Sequence, residues 1–254
     1  MTTTTAPATR LGRVVRAAGG PAAPSPHRET HRGVNWLRDV ILGGQDGLVN
    51  MIGIILGVTA AGGSTSVLLV TGIAAAITES ISMGAVGYTS SVSERDYYLA
   101  ERARELAEID TEPEAERAEI REIYAAKGFS GGLLDQVVDT ISANRDHWLE
   151  TMMDEELHLQ PVGQTDILRS AVVITIATLV GHLIPLAPFA VLDRTPALVV
   201  ALVASALVLF GVGAYSAMTL VGDWRRSGAQ MVGIGLGAAL LGYVISSALG
   251  AVAA

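Results

Sequence analysis

The sequence predicts an all-α integral membrane protein with five transmembrane helices and a cytoplasmic helical insert between the second and third. Three observations predict it. Half of the 254 residues are apolar and the mean hydropathy is positive, more than a soluble domain of ordinary charge content shows. Charge is segregated: Gly47 to Thr78 and Ser170 to Leu192 carry no Asp, Glu, Lys or Arg, whereas acids crowd between Glu94 and Glu156. Five windows also reach the roughly 20 mostly apolar residues that a helix needs to cross a bilayer.

Residues 1–35 are rich in Thr, Ala, Pro, Gly and Arg without an apolar run, and read as a disordered tail. It has no secretory h-region, and Arg10, Arg13 and Arg16 are only a weak trace of a transit peptide. Residues 36–92 hold the first two spans, near Val40–Ala61 and Val67–Tyr88, reversed by the small-residue turn Ala61 to Ser66. Residues 93–160 form the acidic insert, and 161–254 hold three further spans near Ser170–Phe189, Pro196–Leu220 and Met231–Ala253. Arg28, Arg32, Arg38, Arg95, Arg169, Arg225 and Arg226 all fall on one side of this arrangement, against Arg194 on the other. Cationic flanks stay in the cytoplasm, so the N-terminus and insert are expected there and the C-terminus outside.

The insert is dominated by Ala, Glu, Arg and Leu, a helical composition. Thr111-Glu112-Pro113-Glu114 reads as a helix start capped by Thr111, and Lys127-Gly128 as its end. A second helical pattern covers about Gly132 to Leu159, with a break near Asn144-Arg145.

The net charge of −8 disfavours nucleic acid and leaves cations as natural partners. No cysteine is present, so a metal must be held by O, N or thioether S. Asp46 and Asn50 lie in the first span, where an ionised carboxylate is costly and needs a partner. Asp46 reads as a cation or proton ligand with Gly43, Gly44 and Gly47 admitting a neighbouring helix, or as an interfacial acid near a helix end. Glu79 and Met83 share a face of the second span, and an acid beside a thioether suits Fe²⁺ better than Mg²⁺ or Ca²⁺. Met83 also reads as ordinary packing, and His182 as a hydrogen-bonded packing residue.

In the insert, Glu105 with Glu108 and Glu116 with Glu119 are i, i+3 pairs on helices separated by the Thr-Glu-Pro turn. Folded back, the pairs converge into an oxygen-rich site favouring Fe²⁺ or Mn²⁺. Met152, Met153, Glu155 and Glu156 close the insert and are placed to complete it. The interleaved Arg102, Arg104, Arg117 and Arg121 give the opposite reading, solvated helix faces laced with weak ion pairs. Only His158, preceded by Glu155, fits the Glu-x-x-His motif of di-iron enzymes, so an enzyme is not expected.

Arg38 to Val49, Ser80-Ile81-Ser82-Met83, Ser93-Glu94-Arg95-Asp96, Pro113 to Glu116, Ile123 to Gly128 and Met152-Met153 before Glu156-Leu157 together resemble the vacuolar iron transporter family. The resemblance implies a homodimer that exports Fe²⁺, with Mn²⁺ as a second load, from the cytoplasm in exchange for protons. It places Asp46 and Met83 on the pathway and Glu105, Glu108, Glu116, Glu119, Met152 and Glu156 in a metal-binding domain. It implies no permanently bound cofactor, and the plasma membrane of a bacterium or a vacuole-like organelle of a eukaryote as the address. One departure is Gly87, where the family pattern is expected to carry a glutamate before Tyr88; Glu79 is the acid available to replace it. The competing function is a membrane-anchored metal sensor or buffer without transport.

Overall fold

The structure, a computed structural model, describes Arg32–Thr219 and Gly222–Ala253. The tail expected over residues 1–35 lies outside the described residues as far as His31. Helices α1 (Arg32–Ala60) and α2 (Thr65–Thr111) are followed by α3 (Pro113–Ala126), α4 (Gly131–Ser142) and α5 (Arg145–Thr151), which widens into a π-helical turn at Met152–Glu156. Then come α6 (Gln164–Leu186) with a 3₁₀ turn at Ala187–Ala190, α7 (Arg194–Thr219) and α8 (Trp224–Ala253). Helices α1, α2, α6, α7 and α8 are each long and apolar enough to cross a membrane.

The first span begins earlier than its hydropathy window suggests. Counted over Trp36–Ala60, Asp46 sits near the middle, roughly 15 Å below Trp36 at the α-helical rise, and not at a helix end. The glycine at position 62, with φ +71°, reverses the chain, and Ser64 caps α2 by accepting from the Val67 N–H. Helix α2 then runs 47 residues without a break at Ser93, so the second span and the first helix of the insert are one rod. Nothing between Gly87 and Glu112 interrupts helical hydrogen bonding.

The break at Pro113 also differs from the expected cap. Thr111 ends α2, its hydroxyl donating back to the Ala107 carbonyl at 2.9 Å, and Glu112 occupies the cap position without a side-chain cap bond. The proline cannot donate to continue α2 and holds Glu112 out of helical geometry, so the kink falls one residue later. Helix α3 stops where Gly128 takes the left-handed conformation at φ +97°. Asn144 divides the next pattern by accepting from the N–H groups of Asp146 and His147. The insert encloses its own core of Ile109, Ile120, Val138, Trp148 and Met152.

Within the membrane, α6 lies against both α1 and α2. A Cβ on Gly47 would come 2.3 Å from the Thr178 carbonyl oxygen, and one on Gly84 would come 1.9 Å from Thr175 Oγ1. Glycine is therefore required for this helix approach. Of Gly233, Gly235 and Gly237, only Gly235 makes such a contact, against Leu209. Arg225 and Arg226 belong to the first turn of α8, their N–H groups capped by Asp223.

Candidate transport pathway and metal centre

Close packing of α6 carries His182 into contact with the first two spans. Its Nδ1 lies 2.8 Å from the Thr178 carbonyl oxygen and its Nε2 lies 2.9 Å from Glu79 Oε2. The side chain is fully buried. On the other side Asn50 Nδ2 donates to Glu79 Oε1. Asp46 lies beside Glu79 and His182, and its Oδ2 is buried without a hydrogen-bond partner. Asp46, Asn50, Glu79 and His182 thus form one polar cluster at mid-depth of three apolar helices, where such groups are costly and mark ion or proton routes. Met83 is half-buried one turn along α2. Gly87 packs against Ile174, whose Cδ1 would be 2.6 Å from a Cβ there, so a glutamate at that position would have to displace it.

A second cluster forms where α2 and α3 fold back on each other. Glu105, Glu108 and Glu116 each offer a carboxylate oxygen within 4.8 Å of the others. Glu119 reaches the same space, lying close to Glu156 of the π-helical turn and to Glu116 and Glu105. Glu105 and Glu116 are buried, and Oε2 of each has no hydrogen-bond partner. Burial and then the neighbouring glutamates, Glu119 first among them, push the Glu116 carboxyl up to about 7. Burial with Glu119 and Glu105 does the same to Glu156, also to about 7. Burial raises Glu105 as well, against the opposing hydrogen bond from Arg104. Orphaned buried oxygens among mutually repelling carboxylates are what a divalent cation would satisfy.

The arginines bear on both readings of this sequence pattern. Arg117 pairs with Asp139 and Ser142, and Arg121 with Asp135, both on α4. Among the described residues only Arg104 forms ion pairs with the cluster, bridging Glu101, Glu105 and Glu108 from an exposed position. Two of the four interleaved arginines thus make their ion pairs with α4 rather than with the glutamates.

Three proposed site residues have other surroundings. Glu155 pairs with Lys127, away from the cluster. Met152 and Met153 are buried in the apolar core of the insert, beneath the glutamates rather than exposed among them. His182, expected as a hydrogen-bonded packing residue, is buried and hydrogen-bonded, and one of its partners is the acid Glu79. It is the one ionisable residue between Ser170 and Phe189, which is the signal by which the sequence singles it out.

Five membrane-length helices, three of which enclose ionisable side chains at mid-depth, define a multi-pass membrane protein with a polar centre. The chain belongs to the VIT family, whose profile matches residues 37–247. It is similar to vacuolar iron transporter 1 of Arabidopsis thaliana, 38% identical over 189 residues, or 73% of this chain and 76% of the relative. Vacuolar iron transporter 1 of Tulipa gesneriana is 37% identical over 183 residues, 69% of this chain and 74% of the relative. The vacuolar iron transporter of Plasmodium falciparum (isolate 3D7) is 30% identical over 200 residues, 74% and 73% respectively.

Proposed function

We propose that the chain carries Fe²⁺, and Mn²⁺ as a second load, out of the cytoplasm in exchange for protons, as a homodimer with its N-terminus and insert cytoplasmic. The observation that carries this reading is the mid-membrane cluster of Asp46, Asn50, Glu79 and His182. An anchor for a sensor or buffer has no use for acids at that depth. The relatives are named as iron transporters, not enzymes, which supports iron as the load. Oxygen donors at both clusters suit Fe²⁺ and Mn²⁺ alike.

In this reading the insert, residues 93–160, collects the cation on Glu105, Glu108, Glu116, Glu119 and Glu156. Helix α2 joins it rigidly to the pathway, since Glu79 and Glu105 lie on one rod about 39 Å apart by helical rise. Asp46, Glu79, Asn50 and Met83 line the route, and Glu79 with His182 holds the exchanged proton. The basic flanks support the orientation. Purified protein in liposomes, loaded with Fe²⁺ or Mn²⁺ with and without a pH gradient, tests it. Flux that accelerates with the proton gradient is expected; metal binding without flux would leave the sensor reading in its place.

A further inference from the structure

Two cavities with shared lining residues adjoin the starts of α1 and α6. The first, of about 260 Å³, has a mixed lining that includes Arg38, Asp39, Glu94, Asp166 and Arg169 with Ser91 and Ser170. Among the described residues none of these five charged side chains forms an ion pair, although both signs line the same space. The second, of about 460 Å³, is an apolar groove between Val40, Gly44 and Leu48 on α1, Ala177 and Ile184 on α6 and Val208 on α7. Trp36 and Arg169 line both. From Arg169 to Ile184 the groove follows α6 for roughly 22 Å at the helical rise, into the hydrocarbon depth of the membrane.

We propose that these two adjoining cavities together are a binding site for one zwitterionic phospholipid, with its phosphate and ammonium in the charged cavity and an acyl chain in the groove. Two guanidiniums supply partners for a phosphate diester, the pairing that charge-assisted forks favour. Three carboxylates in the same cavity oppose a purely anionic headgroup and supply partners for an ammonium. A purely cationic guest would meet the two arginines. The exposed face of Trp36 sits at the boundary, where aromatic side chains settle at headgroup level. Small residues open the groove: Gly44 has no neighbour nearer than 3.9 Å to a Cβ, so the slot is not filled by its own wall.

The test uses the full chain equilibrated in vesicles of equal phosphatidylethanolamine and phosphatidylglycerol, extracted in mild detergent and weighed intact by native mass spectrometry. One phosphatidylethanolamine per chain is expected, retained about tenfold over phosphatidylglycerol, the effect of one charge-assisted hydrogen bond. Arg169→Gln removes a phosphate partner and Ala177→Phe fills the groove; each should lower retention by about tenfold with helix content unchanged by circular dichroism. The two changes lie on different parts of the site, so if one variant misfolds the other decides. Equal retention of both lipids by the unaltered chain overturns the proposal. So does undiminished retention in a folded variant.

Discussion

Glu79 Oε2 lies 2.9 Å from His182 Nε2, while His182 Nδ1 lies 2.8 Å from the Thr178 carbonyl. A carbonyl only accepts, so Nδ1 carries its hydrogen and the remaining proton must lie between Nε2 and Oε2. Either Glu79 is protonated beside a neutral imidazole or a carboxylate faces an imidazolium; both arrangements hold one exchangeable proton. Glu79→Gln keeps the shape and removes that proton, so metal flux should fall and lose its dependence on the pH gradient. His182→Ala should lower the rate and produce the same flattening. Liposome flux across a series of internal pH values reads both, and an unchanged pH profile would mark the pair as structural.

Asp46→Ala should abolish flux while leaving the protein folded and inserted. Its Oδ2 is buried without a partner, so truncation removes an unsatisfied polar atom from the span. Size-exclusion profile and melting temperature should match the unaltered chain, and wild-type flux would take Asp46 off the pathway.

Replacing Glu105, Glu108, Glu116 and Glu119 together by Gln preserves side-chain size and helix propensity. Calorimetry on the full-length protein at physiological ionic strength should lose the tightest Fe²⁺ or Mn²⁺ sites, because screened surface acids contribute little there. Transport should decrease without vanishing, since the mid-membrane cluster is intact. Retention of both stoichiometry and affinity would make the insert an ordinary solvated helical domain.

The insert should respond to pH in opposite senses with and without metal. Glu116 and Glu156 are raised to about 7 in the fold against 4.5 for the ordinary carboxyl. The folded state therefore binds more protons than the unfolded chain between those values, and metal-free stability should rise as pH falls from above 7 toward 4.5. Metal affinity should weaken over the same interval, because the cation must displace those protons. Thermal melts and Mn²⁺ titrations at pH 5.5, 6.5 and 7.5 would read the two trends; metal affinity independent of pH would count against these glutamates as ligands.

Much of this was written in the residues taken one segment at a time. Long apolar windows determine membrane-length helices because the bilayer sets the length and an unpaired backbone is forbidden in lipid. The i, i+3 spacing of Glu105 with Glu108 and Glu116 with Glu119 determines that each pair shares a face. Asp46 and Glu79 declare themselves as acids in spans. Local chemistry misled where a neighbour competed: Thr111 has the right identity for a cap, but the preceding helix claims its hydroxyl.

Tertiary structure alone decided which of these groups meet. Whether Arg117 and Arg121 neutralise Glu116 and Glu119 depends on α4, which draws them to Asp139 and Asp135 instead. The partnership of Glu79 with His182 spans 103 positions and depends on glycines in α1 and α2 that let α6 approach. Period and composition report only which way a side chain points from its own helix. Contact between helices is set by the shape of both surfaces, so the same histidine reads as packing in isolation and as the partner of a buried acid once the bundle closes.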